Sequence, residues 1–187
     1  MIRPLYFHNP NQEGFEAIIK HLHSKNYKFI SIEELYSRLE KNDTKGKLAY
    51  ISFDDGWQGN LKLIPIIEKY NVHITIFIAV NPIMSGNFWW EFVAKKVGYT
   101  QMQNFKNLPH DEFESQLKKI KTEVADLQRS AMTIDELETI TKHPLISIQS
   151  HTINHPILTK LPDDLLDFEL SESQKQLEKI TGKSIFA

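Results

Sequence analysis

Two short segments carry residue types suited to hydrolytic chemistry. Asp54 and Asp55 stand side by side ahead of Gly56, and His151 and His155 stand four residues apart ahead of Pro156. Adjacent carboxylates at the end of an extended segment point in different directions, so one can bind a metal ion while the other acts as a base. Two imidazoles at this spacing can meet one ion from a helical turn or from a compact loop, and Pro156 favours the loop. Each pair also has a plainer reading: Asp-Asp-Gly as a turn, and the histidines as ordinary polar residues among the eight in the chain. Taken together they supply one carboxylate, two imidazoles and a spare carboxylate. That is the donor set of a catalytic divalent ion with positions left open for water and substrate. The chain has no cysteine, which excludes disulfides and thiolate ligands and leaves His, Asp or Glu to hold any metal.

For these residues to meet, the chain must bring both segments to one place. Short apolar runs alternate with longer amphipathic ones, which predicts βα units, and in such folds the C-terminal ends of the strands share one face. Strands are expected at Ile2–His8, Leu48–Phe53, Ile74–Val80 and Leu145–Gln149, the second running into Asp54 and the last into His151. Phe15, Ile18, Ile19 and Leu22 mark one helix. Ser31 with Glu34 predicts a reciprocal capping box ahead of a short helix striped by Leu35 and Leu39. A further helix carries Leu61, Ile64, Ile67 and Tyr70, its regular part delayed by Pro65. From about residue 81 to 130 the rhythm breaks into a helical insertion, aromatic at Phe88, Trp89, Trp90 and Phe92 and charged from His110 to Gln128. Trp89 and Trp90 either form a sugar platform or split, one covering core and one half exposed. The alternating charges from Glu112 to Lys121 read as a solvated helix face. Thr133 with Glu136 caps another helix, and a last one carries Leu166, Leu170, Leu177 and Ile180 on one face and stops at Gly182. Ser184 to Ala187 reads as the start of a strand. A sheet or barrel cut there exposes an unpaired edge, so the expectation is an incomplete domain that self-associates through that edge.

The 187 residues, 41% hydrophobic and 25% charged with a formal net charge of -2, suit one globular domain. That balance provides no general attraction to nucleic acid or anionic membranes. No run approaches the roughly 20 apolar residues of a membrane span, and the N-terminus lacks the apolar core of a secretory signal. The location is left open between cytoplasm and cell envelope.

Ser52-Phe53-Asp54-Asp55-Gly56 resembles the TFDDG motif, and His151-Thr152-Ile153-Asn154-His155-Pro156 resembles the H(S/T)xxHP motif, of the polysaccharide deacetylases with a NodB homology domain, carbohydrate esterase family four. Weaker matches at Leu5 to His8, Ile74 to Ile78 and Glu169 to Ser173 extend the resemblance over nearly the whole chain. It implies an α/β fold, a distorted (β/α) barrel, of which residues 1–187 form the N-terminal portion. It also implies Asp54 as general base and Asp55, His151 and His155 as ligands of a divalent ion, zinc foremost, with cobalt, nickel or iron as alternatives. The implied reaction removes N- or O-linked acetyl groups from a glycan. Ser52 stands where Thr is common and Trp57 where Tyr, Pro or Phe is usual. The family's later motifs, including a Leu-His pair whose His acts as general acid, are absent, so weak or absent turnover by this chain is expected. Two other classes compete. A carbohydrate-binding or scaffold module would keep the ion without turnover. A non-haem iron oxygenase would use the same two His and one carboxylate, but it has no need of a second aspartate beside the first.

Overall fold

A computed structural model describes residues 1–187. Strands β1 (Ile2–Phe7), β2 (Lys28–Ile30), β3 (Leu48–Phe53), β4 (Ile74–Ile78) and β5 (Ile146–Ser150) form one all-parallel sheet. Its order is β1-β3-β4-β5; β2 lies beside the first three residues of β3, and β4 beside the last three. All six residues of β3 are buried, as expected of a central parallel strand covered on both faces. β2, at three residues, is too short to announce itself by alternation. The expected α/β class with βα connectivity is therefore present, with β1 and β5 as the two ends of the strand order.

Helices α1 (Gln12–Ser24), α2 (Ile32–Glu40) and α3 (Ile64–Tyr70) connect the first strands. Pro65 sits in the first turn of α3, where a missing N–H costs nothing, and a 3₁₀ segment over Gln58–Leu63 precedes it. The capping box expected at Ser31 is only half made. Ser31 accepts from the Glu34 N–H at 3.2 Å, but the Glu34 carboxylate is drawn to Lys28 at 3.0 Å and Arg38 at 2.9 Å instead of back to the cap. At α8 (Ile134–Thr141) no cation competes, and Thr133 and Glu136 complete the reciprocal pair.

The insertion comprises α4 (Val80–Ser85), α5 (Trp89–Val97), α6 (Tyr99–Phe105) and α7 (His110–Glu123). The strand expected to reach Val80 ends at Ile78 because α4 begins there. α5, α6 and α7 have their own apolar cluster of Trp89, Val93, Met102, Phe105, Phe113, Leu117 and Ile120, apart from the main core. The charged residues of α7 lie on its opposite face, as expected.

The last helix, α9 (Asp163–Thr181), corrects the sequence reading. Leu177 is buried as expected, but Leu170 is 47% exposed, and the buried row is Glu169, Ser173 and Leu177. Polar groups enter this face because the loop after β5 offers them partners. Ser184 to Ala187 are not in a strand; Phe186 and Ala187 donate their N–H groups to the Gln149 side chain, so most of the ladder is replaced by one carboxamide. No helix is long and apolar enough to cross a membrane.

Candidate metal centre

β3 and β5 are separated by β4 alone, so their C-terminal ends deliver Asp54–Asp55 and His151 to one rim of the sheet. The Asp54 N–H donates to the Phe7 carbonyl at 2.8 Å, and the chain then turns sharply. Asp55 takes φ 76° and Gly56 φ 91°. A Cβ on Gly56 would lie 2.9 Å from the Ile78 Cδ1, so this turn needs glycine for both conformation and space. Gly56 also accepts from the Met132 N–H at 3.0 Å, which fixes the turn from outside.

The loop from His151 to His155 is held more elaborately. The His151 N–H donates to the Ile78 carbonyl at 2.9 Å, continuing the β4–β5 ladder by one step. Thr152 and His155 adopt φ 71° and 55°, and the Thr152 hydroxyl accepts from the His155 N–H at 3.0 Å. The Glu169 carboxylate accepts from Ile153 N at 2.8 Å, Asn154 N at 2.9 Å and Asn154 Nδ2 at 2.6 Å. Ser150 and Ser173 hydroxyls meet at 2.6 Å. Thus α9 holds this loop through its buried polar row.

The result is a cluster of Asp55, His151 and His155 whose ligand atoms all lie within 4.8 Å of one another. Asp55 Oδ1 is 3.2 Å from His155 Nε2 and 3.6 Å from His151 Nε2. Ligands about 2.0–2.1 Å from a tetrahedral ion lie about 3.3 Å apart, so these spacings suit a shared cation. The second oxygen, Oδ2, accepts from Trp57 Nε1 at 2.9 Å, whereas Oδ1 is buried without a hydrogen-bond donor. A buried carboxylate oxygen facing two imidazole nitrogens, with only the His155 ring nitrogen at 3.2 Å to answer it, suits a cation among them. The donor set therefore fits a divalent ion.

Electrostatics separate the two aspartates. Burial raises the Asp54 carboxyl above its ordinary value, with the Asp55 charge adding to the effect against nearby His8 and His155. For Asp55 burial also pushes upward, but His155 and the Trp57 N–H outweigh it and hold the carboxyl below the usual range. Burial lowers His151 to about 4, helped by His155 and opposed by Asp55. His151 is thus neutral at physiological pH, with its lone pair free for a cation.

The structure brings together Asp55, His151 and His155, with Asp54 adjoining in sequence and in field. Trp89 and Trp90 split in the manner of ordinary adjacent helical aromatics. Trp89 is buried and donates its indole N–H to the His155 carbonyl at 3.0 Å, while Trp90 is half-buried with its ring centroid 4.9 Å from that of His155. His8 also lines the cleft beside Asp55 and His155. Sequence reasoning noted Trp57 and Glu169 but assigned them no work. Trp57 departs from the usual residue at a position two after Asp55. Glu169 was detectable as an acidic residue in register with Ser173 and Leu177.

A family model described as polysaccharide deacetylase matches residues 41–186. The Bacillus subtilis (strain 168) protein named "Putative polysaccharide deacetylase YxkH" is 24% identical over 173 residues, covering 91% of this chain and 46% of its own length. The chain thus spans about half the length of that curated relative. Among solved structures, the Streptococcus pyogenes deacetylase PplD in complex with acetate aligns with a TM-score of 0.67 at 18% identity, over 99% of this chain and 70% of that one. A polysaccharide deacetylase from Bacillus cereus aligns with a TM-score of 0.64 at 20% identity, over 99% of this chain and 49% of that one. These likenesses establish the fold as that of the NodB-type deacetylases.

Proposed function

This chain belongs to the polysaccharide deacetylase family, and on that premise we propose that it is the part of a metal-dependent hydrolase that removes acetyl groups from a glycan. The observation that carries the reading is the Asp55 Oδ1 atom, buried without a donor between two imidazole nitrogens. Asp55, His151 and His155 hold a divalent ion, zinc in the first instance. Bound there, such an ion supplies Lewis-acid polarisation of an acetyl carbonyl and acidifies water.

The chain's own residues supply the rest. Asp54 acts as general base, taking a proton from the attacking water; its raised proton affinity makes it a stronger base than an exposed aspartate. The Trp57 N–H occupies Asp55 Oδ2, so that carboxylate is directed to the ion through Oδ1 and is not available as a second base. His151, neutral by burial, needs no deprotonation before it binds metal near neutral pH. Trp57 and Trp90 line the cleft around Asp55 and His155.

Acetate release from N-acetylated chito-oligosaccharides, peptidoglycan and acetylated xylan tests the proposal. Metal-loaded protein is expected to release acetate only slowly from at least one of them, given the absent Leu-His pair, to stop on chelation and to recover with zinc. Metal bound stoichiometrically with no acetate from any substrate would favour the carbohydrate-binding module.

A further inference from the structure

We propose that Trp57 is a positioning residue for Asp55, and that through it the insertion between β4 and α8 sets how tightly the divalent ion is held. The inference rests on the proposed metal centre and concerns what fixes one of its ligands. Asp55 is buried, and its two oxygens have different surroundings. Oδ2 accepts from the Trp57 indole N–H at 2.9 Å, while Oδ1 faces the imidazole nitrogens of His155 and His151. A carboxylate with both oxygens free turns easily about its terminal torsion and can offer an ion either oxygen or both. One that holds an N–H on Oδ2 has Oδ1 left to give. Tyr, Pro or Phe, the usual residues at position 57, have no ring N–H to place there.

An indole can orient a ligand only if it is itself held, and Trp57 is held along both backbone and ring. Its backbone forms an antiparallel bridge with Ala131, and the next residue, Gln58, donates its N–H to the Ser130 carbonyl at 2.8 Å. Its ring lies against that of Phe88, with centroids 4.4 Å apart. Phe88 is fully buried and stacks in turn on Trp90, with centroids 4.7 Å apart and planes at 6°.

Phe88 caps the start of α5, whereas Ser130 and Ala131 lie at the far end of the insertion, just before α8. Two segments about 40 residues apart therefore bear on one side chain. Glu91 ties them together: its carboxylate accepts from the Phe88 N–H at 2.8 Å and from the Ser130 hydroxyl at 2.6 Å. The neck of the insertion is thus closed around Trp57, and the indole N–H is aimed at Asp55 by groups that belong to the insertion. If Trp57 served the fold alone, by filling space against Phe88, loss of its N–H with an aromatic ring retained would leave metal binding untouched.

Zinc affinity by chelator competition and the visible absorption of cobalt(II)-loaded protein test this in the unsubstituted chain, Trp57→Phe and Phe88→Leu. Circular dichroism and urea transitions of the metal-free proteins establish that each is folded. Trp57→Phe keeps a ring and loses the donor. It is expected to weaken zinc about 10–100-fold, the usual loss for a group that orients a metal ligand, and to move the cobalt bands, which report the atoms around the ion. Phe88→Leu keeps the donor and loosens its support, and is expected to weaken zinc by a smaller factor. Zinc affinity or a cobalt spectrum unchanged in folded Trp57→Phe would overturn the proposal, as would a zinc loss in Phe88→Leu that matches or exceeds that in Trp57→Phe. Should Trp57→Phe not fold, unchanged zinc affinity in Phe88→Leu decides against it. A chain that binds neither zinc nor cobalt without any substitution is a different result: it overturns the metal centre itself, and the proposal with it.

Discussion

Asp54 and Asp55 are neighbours with unequal surroundings, and on that inequality rests the proposal that one aspartate binds metal and the other moves a proton. Asp55 is turned inward at positive φ, with its two oxygens already allotted, one to Trp57 and one to the space between the imidazoles. Asp54 keeps a carboxyl whose proton affinity is raised by burial. Asp54→Asn is therefore expected to retain one equivalent of zinc while lowering kcat about 10²–10⁴-fold, the usual loss for a positioned base. Asp55→Asn is expected to lose zinc first. Zinc content and initial rates of acetate release, measured on the same preparations, separate the two; an empty site in the Asp54 variant would reverse the assignment. His151 leads to a prediction about pH. Its folded-state value, about 4, lies below the unfolded value of about 6.5, so in metal-free protein it contributes stability above about pH 6.5 that is lost as pH falls toward 4. Urea midpoints of the metal-free protein should drop over that window, and the drop should be smaller in His151→Gln. Parallel curves for the two proteins would contradict the burial of a neutral imidazole.

At the scale of elements, the sequence announced the strands and the two site segments because both signals are local. A run such as Leu48–Phe53 ending in Asp-Asp-Gly needs no distant partner to be read. What stayed hidden depends on contacts remote in sequence. β2 exists because β3 offers a ladder to three residues with no pattern of their own. Ser31 and Glu34 read as a full capping box until Lys28 and Arg38 claim the carboxylate. In α9, apolar periodicity nominated Leu170, but the loop after β5 presents three N–H donors, so Glu169 turns inward and Leu170 outward. Glu169→Ala should leave those donors unpaired at a cost of about 2–4 kcal/mol. It should also weaken zinc binding about 10–100-fold, as loss of a group that orients metal ligands does. Urea denaturation combined with chelator competition reads both effects. A variant equally stable but unable to hold zinc, or one with both properties unchanged, would show that α9 does not brace the histidine loop as described.

At the scale of the molecule, one parallel sheet carries the two motifs to a common rim, and two separate devices finish the site. α9 supports the histidine loop from one side, through Glu169 and Ser173. The insertion approaches from the other, with Trp89 bonded to the His155 carbonyl and Trp90 against its ring. The insertion's own apolar cluster lets it act as a wall without disturbing the sheet. Family membership and fold place the chain among polysaccharide deacetylases, while the proposal of an ion rests on three side chains. Zinc stoichiometry of dialysed protein, measured by elemental analysis for the unsubstituted chain and for His151→Ala, His155→Ala and Asp54→Asn, tests that dependence most directly. The expected result is one zinc per chain in the unsubstituted and Asp54→Asn proteins and none in either histidine variant; zinc retained by both histidine variants would contradict a metal centre at Asp55, His151 and His155.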